Sequence, residues 1–378
     1  MEIGTASAAP GELARGHLEL TDLPTGVPER LPVIVANGAD GSPAQGAGED
    51  DDSPAEGAGE DEDGPTLWIT GGVHGDEATG VAVTQDVMRE DLPQRISGAV
   101  VAVPVVNPAG LRRNARTSYY GDDDPNRKFP DPESDSSTPP EVQERIDERL
   151  YETIVDSADA LIDNHTAGVN SHPFVIRDRV LYGERRTESE AEALAEELEA
   201  LVEATGLPVL TEYPAAEYVD KGLQRSTAGA VCNAAGIPAF TTELGGHSVV
   251  TESTRAAGVA AAYGVMDELG MLAAWPDAVG EPDSFSSPVE FPVRRFRGPR
   301  TETAGLLRHR VEAGDAVEAG ETVADVVSAA GEQLDTVAAD HDGYVLGRAE
   351  GMAAYEGDAV LSMAIRDDGA PVAPRDAE

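Results

Sequence analysis

The segment GGVHGDEATG at 71–80 places His74 and Glu77 three residues apart, directly after the apolar run LWITGG at 67–72. An imidazole nitrogen and a carboxylate oxygen are both good ligands for Zn2+. On a turn that enters a helix, residues three apart can point at one centre. Taken alone the pair is weak, because a glutamate at a helix start beside a polar histidine gives the same pattern. A third ligand is needed, and the chain has only seven histidines, at 17, 74, 165, 172, 247, 309 and 341. Of these, His165 closes a second apolar run, ALIDN at 160–164, and precedes Thr-Ala-Gly. A strand-end histidine satisfied by a local hydrogen bond is the alternative reading there. Together His74, Glu77 and His165 would form a site of two histidines and one carboxylate for one Zn2+ per chain. Three protein ligands leave a fourth position for water, which is the catalytic arrangement.

Glu243 ends a third apolar run, in AFTTELGG at 239–246. A carboxylate at a strand end beside a glycine turn suits a general base acting on water. The segment NPAGLRRNARTSYYGDDDPNRKFP, 107–130, concentrates Arg112, Arg113, Arg116 and Arg127 in an otherwise acidic chain. Guanidinium forks bind carboxylates, so an anionic ligand is expected. Arg112 and Arg113 could equally pair with surface acids. Asp163, two residues before His165, is a candidate to orient a ligand histidine, and a structural role for a strand-end acid is as good. His172, in NSHPFVI, is a candidate for a pocket wall.

The elements that must position these side chains alternate along the chain. Strand-like runs stand at 67–72, 99–106, 160–164, 207–213 and 238–246, with helical patterns at 76–90, 139–157, 188–204, 226–235 and 253–273. Near-continuous apolar runs fit strands covered on both faces. The alternation argues for an α/β sheet flanked by helices, with site residues at strand ends and in the loops after them. After about residue 285 short β-like runs carry glycine turns, AGD at 313–315, AGE at 319–321 and EGD at 356–358. They predict a small C-terminal β-barrel or sandwich domain over 286–366, which resembles the lipoyl/biotinyl-type fold. That fold's carrier function needs a lysine, and none follows Lys221, so a structural or gating module is expected. The larger α/β domain, which carries the candidate zinc site, would span 1–285. Residues 40–64, where SPAQGAGED returns as SPAEGAGED, hold no large apolar side chain and read as a disordered acidic loop. Residues 367–378 read as a frayed tail.

The 378 residues carry 27 Lys+Arg against 71 Asp+Glu, a formal net charge of −44. Such a polyanion repels phosphate backbones and anionic lipid, so neither nucleic acid nor membrane is an expected partner. No apolar run approaches a transmembrane length, and the N-terminal residues lack the basic flank and apolar core of a signal peptide. One cysteine, Cys232, excludes an internal disulfide framework. A cytoplasmic protein is expected, with a small-molecule substrate; a homo-oligomer is compatible with this. Only Lys128 and Lys221 are lysines, and acids are spread over the whole chain. Molar salt shortens the Debye length to about 3 Å and would screen that self-repulsion, so the composition reads as halophilic.

The order G-x-H-G-D-E, N-P followed by A-R, N-R-x-F-P, D-x-H-T and T-E-x-G-G resembles the succinylglutamate desuccinylase/aspartoacylase family over roughly 65–250. The resemblance implies a zinc-carboxypeptidase-like mixed sheet. It implies that His74, Glu77 and His165 are the metal ligands, that Arg116 polarises the scissile carbonyl and holds the oxyanion, that Asn126 and Arg127 grip a substrate carboxylate, and that Glu243 is general base and proton shuttle. The Arg116–Asn126 spacing is longer than usual, Pro125 stands in place of the usual leucine before Asn-Arg, and Asn164 in place of the leucine before the metal histidine. The implied activity is zinc-dependent hydrolysis of the amide of a small, carboxylate-bearing N-acyl amino acid. A metallocarboxypeptidase acting on peptide C-termini, or a non-enzymatic metal- or metabolite-binding relative, would share the same residues.

Overall fold

The computed structural model describes residues 1–39, 64–132, 139–183, 185–280 and 285–375. The expected acidic loop therefore lies outside the described residues over 40–63.

Twelve strands build one mixed sheet. In chain order they are β1 (Leu13–Asp22), β2 (Pro28–Asn37), β3 (Thr66–Gly71), β4 (Ala99–Val103), β5 (Ala160–His165), β6 (Phe174–Arg177), β7 (Val209–Thr211), β8 (Ala239–Glu243), β9 (Val293–Arg297), β10 (Ala316–Val317), β11 (Gly343–Arg348) and β12 (Leu361–Arg366). Across the sheet the order is β10-β11-β12-β9-β7-β6-β8-β5-β3-β4-β2-β1. The central strands β4, β3, β5 and β8 run parallel, and their side chains are almost wholly buried. This is the signature of a sheet covered on both faces. At β6 the direction reverses against β8, and β6, β7 and β9 form a second parallel set.

The covering helices are α1 (Ala78–Val87), α2 (Val142–Val155), α3 (Glu188–Ala204) and α4 (Glu252–Glu268). The acid-rich α3 starts at a capping box, in which the Glu190 amide donates to Thr187 Oγ1 and the Thr187 amide to the Glu190 carboxylate. Its buried stripe, Ala191, Leu194, Ala195, Leu198, Leu201 and Val202, follows the three-and-four spacing of the sequence. α1 comes unusually close to β5: a Cβ on Gly80 would stand 2.4 Å from the Asn164 carbonyl oxygen. That approach lets the Gly80 amide donate to Thr166 Oγ1 at 2.8 Å, tying the helix to the residue after His165.

The C-terminal region is a sandwich, with a correction to its independence. Strands Gly305–His309, Thr322–Val327, Gln333–Ala338 and Ala353–Ala354 form a four-stranded sheet. An apolar core including Val323, Val326, Val345, Val360 and Met363 lies between it and β11–β12. β9 to β12 are at the same time part of the large sheet, joined through the Thr211–Arg294 pairing. The three predicted turn glycines, Gly314, Gly320 and Gly357, all have positive φ, as tight turns require. The expected frayed tail needs a second correction. Val372–Pro374 pairs in parallel with Val180–Tyr182, and Val372 and Ala373 pack on apolar neighbours; residues 376–378 lie outside the described residues. No helix among the described residues is long and apolar enough to cross a membrane.

Candidate metal centre and substrate cleft

β3 delivers the first two site residues. After Gly71 the chain turns beside the short helix Pro108–Leu111, where a Cβ on Gly75 would collide with Gly110 at 2.1 Å. Asn107 caps that helix through the Gly110 amide, and the Gly75 amide donates to the Arg116 carbonyl. The NP segment thereby fixes both the His74 loop and the start of the arginine loop.

His74, Glu77 and His165 converge, all three buried, with ligand atoms within 4.8 Å of one another. His74 Nδ1 lies 2.6 Å from Glu77 Oε1, and His165 Nδ1 lies 2.8 Å from Glu77 Oε2. The opposite nitrogen of each ring meets another carboxylate: His74 Nε2 stands 2.9 Å from Asp124 Oδ1, and His165 Nε2 stands 2.9 Å from Asp163 Oδ2. Thr70 Oγ1 donates to the second oxygen of Asp163 at 2.7 Å. Such carboxylate–histidine pairs hold an imidazole's orientation and make it a better ligand. Two imidazole nitrogens and a carboxylate aimed at one point are a donor set that fits a divalent cation.

The electrostatics agree. Burial lowers both imidazoles, but Glu77 with Asp124 raises His74, and Glu77 with Asp163 raises His165 well above the ordinary value. Burial raises the Glu77 carboxyl, yet His165 and His74 hold it far below the carboxylate range. The cluster is thus a strong attractor of positive charge.

Arg116 lies on the open side, with Nη1 3.4 Å from Glu77 Oε1 and Nη2 2.9 Å from Asp124 Oδ2. Its position beside the cluster leaves its fork half-exposed to the cleft. Glu243 lies beside His165 in the parallel register of β8 and β5 and lines the same cleft. Burial first, then the charge of Glu77, raises its carboxyl, against His165, Arg295 and Arg116. Asn126 is held by the Thr227 amide, which donates to its Oδ1 at 2.8 Å, and its Nδ2 lies 3.3 Å from His165 Nε2. Arg127 donates through Nε to the Lys221 carbonyl and lines the same cleft. No carboxylate among the described residues forms an ion pair with it at contact distance.

All seven sequence-derived site residues therefore line one cleft of about 300 Å3. His172 does not: its ring packs against Phe285 and Tyr344. Arg112 turns away to Glu29. Asn164, in place of a leucine, is satisfied on the far face by Thr84 and Thr242. Asp124, missed by the sequence reading, has no signal of its own among the neighbouring acids Asp122 and Asp123. It caps the turn Pro125–Arg127 by accepting from the Asn126 amide. Asp178, Glu212 and Arg295, at the far end of the cleft, were also missed, because strand adjacency brings them together.

A family model described as the succinylglutamate desuccinylase/aspartoacylase catalytic domain matches residues 63–269. A Halomonas elongata protein named N-alpha-acetyl-L-2,4-diaminobutyric acid deacetylase is 25% identical over 265 residues, 69% of this chain and 70% of that one. Among solved structures, the product-bound ectoine utilization protein EutE (DoeB) of Ruegeria pomeroyi is similar with a TM-score of 0.68 at 19% identity, covering 96% of this chain and 98% of that one. A succinylglutamate desuccinylase/aspartoacylase from Rhodobacter sphaeroides has a TM-score of 0.66 at 22% identity, covering 94% and 95%. These two likenesses carry the fold.

Proposed function

The chain belongs to the succinylglutamate desuccinylase/aspartoacylase family, and from that premise we propose that it is a zinc-dependent deacylase that cleaves the amide bond of a small N-acyl amino acid. The observation that carries the reading is the convergence of His74, Glu77 and His165 beside Glu243 and Arg116 in one cleft. The similarity to a relative named as an N-acetyl amino acid deacetylase supports acetyl as the acyl group.

His74, Glu77 and His165 would hold the ion, which when bound supplies Lewis acidity toward an acyl oxygen and acidifies water. Glu243 takes the proton from the attacking water. Its raised affinity for protons suits it to return that proton to the leaving nitrogen. The Arg116 guanidinium donates to the acyl oxygen as negative charge develops there. Arg127, with Asn126 beside it, meets the carboxylate of the amino acid moiety in a charge-assisted hydrogen bond. That contact fixes the amide against Glu243, so one misplacement would cost rate as well as binding.

A screen of N-acetyl and N-succinyl amino acids against a panel of peptides, run in molar KCl on metal-loaded protein, tests this. Release of free amino acid from acyl amino acids is expected. Trimming of peptides with no such release would establish the carboxypeptidase reading, and no turnover of either would leave a binding protein.

A further inference from the structure

The loop that carries Arg116 is held by side chains rather than by its backbone. Among the described residues, no backbone–backbone hydrogen bond involves residues 117–123. The loop leaves the short helix Pro108–Leu111 and ends at Asp124, which caps the turn Pro125–Arg127. Between those points it reaches away from the cleft to one carboxylate. The Tyr120 hydroxyl donates to Glu29 Oε2, and Arg112 Nη2 donates to Glu29 Oε1 at 3.4 Å. Arg112 Nη1 also donates to the Tyr119 hydroxyl at 3.3 Å, and the rings of Tyr119 and Tyr120 lie 4.7 Å apart. Arg112 stands four residues before Arg116 and Tyr120 four residues after it. Both flanks of Arg116 therefore converge on Glu29.

Strand register places that acid. Glu29 is the second residue of β2 and is only 3% exposed. Ile34 of β2 pairs with Ala102 of β4 in antiparallel register. The residues before Ile34 thus run past the C-terminal end of β4, the end from which the chain enters the arginine loop. A buried carboxylate is costly unless donors satisfy it. Both side-chain donors to Glu29 among the described residues come from the arginine loop, and the remaining one is the adjacent Arg30 amide at 3.3 Å. Burial, followed by the bond to Glu29, raises the Tyr120 hydroxyl, so Tyr120 stays protonated and remains the donor.

We propose that Glu29 is a positioning residue for Arg116: by gathering Arg112 and Tyr120 it holds the loop so that the guanidinium is already in place when negative charge develops on the acyl oxygen. This rests on the deacylase reading and adds to it a residue from outside the cleft. Arg116 is drawn toward Glu77 through Nη1 and toward Asp124 through Nη2. An anchored loop limits how far the guanidinium follows those acids and keeps its fork open to the cleft, which lowers the reorganisation needed at the moment of reaction. The long Arg116–Asn126 spacing gains a second anchor in the same way, since Tyr120 lies within it.

Tyr120→Phe removes one oxygen from the anchor, and Glu29→Ala removes the anchor itself. On the acyl amino acid that the wild type turns over best, kcat is expected to fall about tenfold in Tyr120→Phe and further in Glu29→Ala, with KM within about twofold and metal content unchanged. In an Arg116→Ala background Tyr120→Phe should lower kcat no further, because its effect passes through Arg116. Limited trypsin digestion gives a readout that needs no turnover: cleavage after Arg113 and Arg116 should be at least about threefold faster in Tyr120→Phe than in the wild type, with thermal melting little changed. Where Glu29→Ala fails to fold, Tyr120→Phe decides alone. An unchanged kcat in Tyr120→Phe, an equal fall in the Arg116→Ala background, or unchanged cleavage would overturn the inference while leaving the deacylase reading standing. A wild type that hydrolyses no acyl amino acid would remove the deacylase reading, and the role of Arg116 with it.

Discussion

The two ends of the cleft treat charge in opposite ways. At one end Glu77, Asp124 and Glu243 act on the guanidinium of Arg116, and Asp163 backs the ring of His165. With both rings neutral, the acids of this end outnumber its guanidinium, and a divalent ion reduces the surplus. At the other end two carboxylates, Asp178 and Glu212, meet two guanidiniums, Arg127 and Arg295. Counted with every group ionised that end is balanced; burial keeps the proton on Asp178 near neutrality, which leaves a place for one negative charge, such as the proposed substrate carboxylate. The surplus of acids at one end and the near-balance at the other set the two ends apart.

Substitutions at either end sharpen this contrast. The largest effect is expected from Glu243→Gln, which keeps the shape of the side chain and removes the proposed base: kcat should fall by roughly a thousandfold, with metal content unchanged by elemental analysis. Arg127→Ala should next raise KM by about 30- to 100-fold, the ~2–3 kcal/mol of a hydrogen-bonded charge pair, with a smaller change in kcat. If KM for a substrate lacking the carboxylate rose equally, Arg127 would not be its partner.

Stability offers a smaller test of the balanced end. The Asp178 carboxyl sits at about 8 in the folded protein against an ordinary 3.8. Between those values the unfolded chain has released the proton and the folded chain still holds it, so stability falls as pH rises through this window and levels off above it. Asp178→Asn removes the dependence. Its melting temperature should exceed that of the wild type at pH 9 by a few degrees and approach it at pH 5. The reverse order would show an ion pair at Asp178. The mildest expectation concerns the whole surface: with a net charge of −44, lowering KCl from molar to millimolar concentrations should lower the melting temperature progressively as screening is lost. A salt-independent melting curve would contradict the halophilic reading.

The imbalanced end was readable from residue order because each of its main members stands where an apolar run stops. His74 and Glu77 follow β3, His165 closes β5, and Glu243 closes β8; a buried strand that ends in a polar residue and glycines marks itself. Helix α3 was equally legible, since its caps and its stripe are local. The balanced end was not. β6 is only four residues long, follows Pro173, ends on Arg177 and is succeeded by Asp178, so its apolar run of three is too short to stand out. The row at 178, 212 and 295 exists only because β6, β7 and β9 are neighbours, a relation between segments more than 80 residues apart at its ends. For the same reason the continuity of the C-terminal strands with the large sheet rests on pairings that no local pattern announces. Val372–Pro374 is held by a long-range pairing with Val180–Tyr182, and in a polar, proline-containing tail that could not be seen.

Metal stoichiometry tests the cluster of His74, Glu77 and His165 most directly. Elemental analysis of the purified protein, after dialysis against metal-free molar KCl and reloading with Zn2+, should give about one ion per chain for the wild type and close to none for His165→Ala, with circular dichroism showing both folded. A folded wild-type protein that retains no ion, or a His165→Ala protein that retains it undiminished, would contradict the site.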